Sequence, residues 1–154
     1  METLVGVISD THGLLRPEAV AALRGSQLIL HAGDVGAPAV LDQLRALVPT
    51  CAVRGNIDTQ PWAARLPATK AVEVGSLLFW MLHNIAELDC DPVAAGFAAV
   101  IFGHSHKPLI ETRGGVLYLN PGSAGPRRFK LPVTIARLHV AGTSIRSEIV
   151  ELDV

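Results

Sequence analysis

Three times in the first 56 residues an apolar run stops at a turn that carries a carboxylate or an amide. Residues 4–9 lead to Asp10, residues 28–31 to Gly33-Asp34, and residues 52–54 to Gly55-Asn56. The runs are short and rich in β-branched residues, the pattern of buried strands. Between them lie two helical segments. One runs from Pro17 to Arg24 with Gly25 as its stop; the other starts at Pro38, with Val40, Leu41, Leu44 and Leu47 at helical spacing. Proline suits the first helical position, where its missing N–H has no partner to lose. Such a succession, closed by right-handed crossovers, builds a parallel sheet with Asp10, Asp34 and Asn56 on one edge. Open α/β sheets take their ligands at that edge.

After residue 70 the pattern changes from crossovers to hairpins. Residues 70–74 and 77–82 pair around Gly75-Ser76, and the second run ends at His83. Asp91-Pro92 starts a predicted helix to about Gly96, and residues 99–102 form a buried strand that ends at Gly103-His104. Two more hairpins follow, 108–112 with 116–119 through Gly114-Gly115, and 133–140 with 145–152 around Gly142. This order predicts two sheets packed face to face with helices outside. A chain of 154 residues can bury such a core unaided, and no linker or repeat divides it, so one domain over 1–154 is expected.

Composition narrows the function classes. Hydrophobic residues make up 49% and charged ones 18%, too little polarity for disorder. The net charge of −1, with no run of Lys or Arg, offers no nucleic-acid patch and no membrane-binding face. A small discrete substrate is the expected partner. Cys51 and Cys90 form no CxxC pair and read as two reduced structural thiols. Without a basic leader or a transmembrane-length apolar run, cytoplasmic residence is expected.

The later motifs add imidazoles to the carboxylates: His12, His83, and His104 with His106 in Gly103-His104-Ser105-His106. Carboxylate, imidazole and amide together are the donors that hold hydrolytic metal ions. Singly, each has an ordinary use. His12 could close a turn, Asp34 could cap the helix at Pro38, and His104 and His106 could lie in a solvated turn. If that segment is extended, the two histidines point the same way, as convergent ligands require. His31, three residues before Asp34 on a strand end, reads as a buried histidine hydrogen-bonded to backbone or as a partner that orients a ligand. Trp62 and Trp80 read as packing residues, with Trp62 close enough to the strand tips to line a pocket.

In this order, Ile8-Ser9-Asp10-Thr11-His12-Gly13, His31-Ala32-Gly33-Asp34, Arg54-Gly55-Asn56-Ile57-Asp58, Phe102-Gly103-His104-Ser105-His106-Lys107-Pro108 and Asn120-Pro121-Gly122-Ser123 resemble the calcineurin-like metallophosphoesterases. Within them, the chain is similar to the small bacterial and archaeal phosphodiesterases of the YfcE type. The resemblance implies an α/β fold, a four-layer α/β/β/α sandwich of two mixed sheets. It also implies a dinuclear metal centre that hydrolyses a small phosphodiester by metal-activated water. Asp10, His12 and His106 would hold one ion and Asn56, His83 and His104 the other, with Asp34 as the bridge. His12, Asp34 and Asn56 would carry catalysis. Two divalent ions are expected; the N/O donor set suits Mn²⁺ best, with Ni²⁺, Fe²⁺ or Zn²⁺ as alternatives. Arg127 and Arg128 are candidates for binding substrate phosphate, and Asp58 for bracing the loop and its ligands or, equally, for catalysis. One departure stands out: larger relatives carry histidine where this chain has Ile57, and isoleucine transfers no proton. The rival reading is a non-catalytic interaction module on the same fold. A homodimer is a further expectation, since the later hairpins offer apolar edge strands, 133–140 among them, that could pair with another chain.

Overall fold

The first strand, β1 (Glu2–Ile8), alternates its side chains across the sheet. Val5 and Val7 face the second sheet, whereas Ile8 faces the helices. Gly6 lies on the helix side because the chain passes close there: a Cβ at that position would stand 2.6 Å from Leu23 Cδ2. These features come from a computed structural model that describes residues 2–154. From β1 the chain makes two crossovers, through α1 (Pro17–Leu23) to β2 (Leu28–His31) and through α2 (Pro38–Leu47) to β3 (Thr50–Ala52). Both helices begin at proline. The pairings β1–β2 and β2–β3 are parallel, so the three strands end together.

A 3₁₀ turn (Pro61–Arg65) leads into the second sheet. Its strands are β4 (Thr69–Val74), β5 (Leu77–Leu82), β6 (Ala99–Ile101), β7 (Leu109–Arg113) and β8 (Val116–Asn120), in the spatial order β4-β5-β6-β8-β7. Here the middle three, β5, β6 and β8, are parallel. The closing hairpin, β9 (Thr134–Ala141) and β10 (Ser144–Glu151), returns to the first sheet and gives it the order β10-β9-β1-β2-β3. Both sheets are therefore mixed: the parallel strands are the middle three of the second sheet, and in the first they are β1, β2 and β3, with β3 at the edge. Phe79, Met81, Ile101 and Leu119 meet Val5, Val7 and Leu30 in the core between the sheets. Ala19, Leu23, Leu41 and Leu44 cover the outer face of the first sheet.

Three expectations need correction. The predicted helix after Asp91 is one turn: Asp91 accepts from the amides of Val93 and Ala94 and Gly96 adopts φ 80°, too few residues to propagate a helix. The outer face of the second sheet is covered instead by this turn, by a short 3₁₀ turn (Ile85–Glu87), and by Trp80 and Leu88 packed on Phe102 and Tyr118. Strand β3 starts two residues earlier than the apolar run suggests, because pairing with β2 ends at Ala52 and Arg54 N–H already turns to the Pro67 carbonyl. Finally, the strand over 133–140 is no edge. It is β9, paired on both sides, and the edge strands of the later hairpins are β10 and β7. Among the described residues, no helix is long and apolar enough to cross a membrane.

Candidate metal centre

The parallel ladder of β1 and β2 does not stop where the strands do. Asp10 N–H donates to Gly33 O at 3.0 Å, His12 N–H to Asp34 O at 2.9 Å, and Gly13 N–H to Val35 O at 2.8 Å. The loops bearing Asp10, His12 and Asp34 are thus one double-stranded unit. Asp58 ties the third loop to it, accepting from the amides of Val35 at 3.1 Å, Gly36 at 3.0 Å and Gly55 at 2.9 Å.

His31 supports the same loops from beneath. Thr11 donates its hydroxyl hydrogen to Val35 O, so His31 Nε2–H must donate to Thr11 Oγ1 at 3.0 Å, while Nδ1 accepts from Gly33 N–H. That pattern needs a neutral ring. Burial pushes the His31 pKa down to about 4, against the raising influence of Asp10, Asp58 and Asp34.

The second sheet presents its histidines opposite. His83 follows β5 and points Nδ1–H at Ala32 O, 2.7 Å away, which turns Nε2 toward Asp10 and Asp34. The His104–His106 turn follows β6. Asn120 fixes it by donating to Gly103 O and Ser105 Oγ, and Ser123 donates to Asp10 O, joining the two sheets. The turn is not extended: His104 has φ 75° and His106 φ 64°, so the two rings diverge. His106 stacks edge-on to His12 with centroids 5.4 Å apart, and His104 to His83 at 5.2 Å. The two rings therefore have different neighbours, His106 beside His12 and His104 beside His83.

Each carboxylate divides its oxygens between support and site. Asp10 Oδ2 accepts from Ser9 Oγ at 2.7 Å and from His104 N–H; Asp34 Oδ1 accepts from Ile57 N–H. The other oxygens face imidazoles. Asp10 Oδ1 lies 3.4 Å from His106 Nε2, 3.8 Å from His83 Nε2 and 3.9 Å from His12 Nε2. Asp34 Oδ2 lies 3.3 Å from His83 Nε2 and 3.4 Å from His12 Nε2. Burial is the largest influence on Asp10 and raises it, but His106, His12, Ser9 and His83 together hold it well below the usual carboxylate range. Burial likewise opposes the charge on His83, yet Asp34, Asp10 and the Ala32 carbonyl outweigh it and raise its pKa. The pocket therefore favours a cation.

Among the described residues, Asp10 Oδ1, His12 Nε2 and His83 Nε2 are buried and have no hydrogen-bond partner. Orphaned donors of this kind, aimed at one space, fit metal ions. Two groups have ligand spacing, Asp10 with His12 and His106, and Asp10 with Asp34 and His83. They share Asp10, while Asp34 Oδ2 stands almost equally between His12 and His83. Asn56 and His104 lie beside the second group, 3.2 Å apart through Oδ1 and Nδ1.

Arg127 is placed elsewhere: its guanidinium donates to the carbonyls of Leu131 and Val154, and neighbouring Arg128 is exposed. Trp62 packs beside Leu66 and α2. Sequence reasoning missed Ser9, Thr11 and Asn120 as supports; the partners of Thr11 and Asn120 lie 24 and 17 residues away, past the ends of neighbouring strands, and leave no periodic signal.

A two-sheet α/β sandwich with buried carboxylates and imidazoles at converging strand tips defines a class, the metal-dependent hydrolases. The comparisons then fix the family. Residues 3–143 match the model of the calcineurin-like phosphoesterase superfamily domain. A probable metallophosphoesterase of Methanothermobacter thermautotrophicus is 34% identical over 96% of this chain and 91% of its own. The fold is shared with a novel archaeal phosphodiesterase, at a TM-score of 0.80 and 23% identity over 96% of this chain and all (100%) of that one. It is shared equally with Vps29 of Chaetomium thermophilum, at 0.79 and 19% over 97% of each. The chain belongs to the calcineurin-like phosphoesterase superfamily.

Proposed function

We propose that the protein is a dinuclear, metal-dependent phosphodiesterase acting on a small phosphodiester. The observation that carries this reading is the pair of overlapping donor groups with orphaned, buried atoms at their centre. Asp10, His12 and His106 would hold one divalent ion, and Asn56, His83 and His104 the other, with Asp34 between them. Mn²⁺ suits these donors, which include no thiolate. Bound there, two such ions neutralise phosphate charge and lower the pKa of a coordinated water.

The chain's own residues do the rest. Asp10 and Asp34 stay ionised and each keeps one oxygen free for the site. The Ala32 carbonyl holds the His83 ring in the orientation that presents Nε2. Asn56 adds an oxygen donor without adding negative charge against an anionic substrate. Ile57 offers the site only its backbone N–H, which goes to Asp34, so no proton for the leaving oxygen comes from this position. General acid catalysis typically contributes roughly 10²–10⁴-fold. Diesters with good leaving groups are favoured accordingly over alkyl monoesters.

Hydrolysis of bis(4-nitrophenyl) phosphate with and without Mn²⁺ tests the proposal. Even groups that merely orient a ligand are worth roughly 10- to 100-fold, so Asp34→Asn should lower turnover by about 100-fold or more. Absence of metal-dependent turnover in the wild type would favour an interaction module, the reading that the Vps29-like fold suggests.

A further inference from the structure

The loop before β9 carries an unusual residue. Phe129 has φ 53°, a left-handed conformation rare for an aromatic side chain, and its ring is 94% exposed. Both features oppose folding, and such features persist where surrounding structure enforces them for a use. The loop is enforced: Leu131 N–H donates to Arg128 O at 3.1 Å, and Arg127 binds the carbonyls of Leu131 at 3.4 Å and Val154 at 3.2 Å. Phe129 is thereby presented over an open groove of about 760 Å³, lined also by Ser105, Lys107, Lys130 and Leu131. Ser105 lies between His104 and His106, so the groove starts at the metal-centre turn. Two ammonium groups and an aromatic face line it, with no carboxylate among the described lining residues.

We infer that this groove is the subsite for one arm of the substrate, and that the arm is a nucleotide. A flat base stacks on Phe129, and anionic oxygens beyond the scissile phosphate meet Lys107 and Lys130. Aromatic stacking recognises a base by its π-face, and lysines recognise phosphate as point charges. The volume is that of a small-molecule site. This inference rests on the phosphodiesterase reading, whose substrate class it names.

Two readouts separate the claims. The first compares kcat/KM for thymidine 5′-(4-nitrophenyl phosphate) with that for methyl 4-nitrophenyl phosphate, both in Mn²⁺. The second is calorimetric binding of AMP and of adenosine to the same protein. Base stacking is worth about tenfold or more in affinity, so the wild type should prefer the nucleoside diester by at least about that factor. The preference should collapse in Phe129→Ala and survive in Phe129→Trp, and AMP binding should collapse in Phe129→Ala and in Lys107→Ala/Lys130→Ala. Adenosine should bind more weakly than AMP. Equal turnover of the two diesters in wild type and variants overturns the subsite and leaves the phosphodiesterase reading intact. If neither diester is hydrolysed but Phe129→Ala alone abolishes AMP binding, the phosphodiesterase reading fails and the subsite stands. AMP binding that is absent, or indifferent to Phe129, overturns the subsite.

Discussion

Asp10, His12, Asp34, His104 and His106 all adopt left-handed φ, between 48° and 75°. Asp and His tolerate this region better than most residues, and it swings their side chains off the strand direction toward the sheet junction. Conformation here is coupled to close approach. A Cβ on Gly103 would strike Ser9 Oγ and stand 2.7 Å from Asp10 Oδ2, where no flexible tip can yield. Gly103→Ala should therefore cost about 1–3 kcal/mol of stability by overpacking and weaken Mn²⁺ binding by displacing Asp10. Urea unfolding and metal titration check it; a variant with wild-type metal affinity would show that Asp10 is not held by this contact. Asp58 tests the bracing directly. Its carboxylate satisfies three amides, so Asp58→Ala leaves them unpaired and should destabilise by about 2–4 kcal/mol. A loss within a few tenths of wild type would mean that the loops hold without it.

At the scale of elements, the crossover strands and helices of the first half were legible because their apolar periods, prolines and glycines agree. The hairpins were legible from their turn residues. Strand order was not, since nothing local in residues 134–141 says that they lie beside β1 rather than at an edge. The candidate ligands could be read as an ordered set, whereas their supports could not. His31 shows why: its role depends on Thr11 and Gly33, brought to it by the β1–β2 pairing. That pairing makes a pH prediction for the metal-free protein. The folded His31 titrates at about 4, below the ordinary value of 6.5, so the unfolded chain takes up its proton first. Stability from the neutral ring is present above 6.5 and falls as pH drops toward 4, by up to about 3 kcal/mol. Asp10, depressed far below 4, adds nothing in that window. His83 is raised, so its contribution is complete below 6.5 and is lost as pH rises through its folded value. Comparing wild type with His31→Gln isolates the term. The variant should be less stable at pH 7, and the gap should shrink between pH 6.5 and 4; a constant gap would refute the neutral-ring account.

For the molecule as a whole, the two sheets are alike in part: each has three adjacent parallel strands, and both sets end at the same junction. The candidate donors are divided between them. Asp10, His12, Asp34 and Asn56 follow strands of the first sheet, and His83, His104 and His106 follow strands of the second. The apolar core already joins the sheets, but at the junction the joints are few and polar, among them the bonds from His83 to Ala32 and from Ser123 to Asp10. Ions held by both halves would close that end, and binding to the native state alone stabilises it by mass action. At a hundredfold excess over Kd the gain is about 2.7 kcal/mol per site, which for a chain of this length raises Tm by roughly 5–10 °C. Thermal melts with increasing Mn²⁺ should show this rise, and EDTA should reverse it. The effect should be lost in His83→Ala, which removes a donor from the second sheet, as well as in Asp34→Asn, which alters the first. A rise that survives His83→Ala but not Asp34→Asn would place the ion on the first sheet alone, and the picture of a centre spanning both sheets would have to be given up.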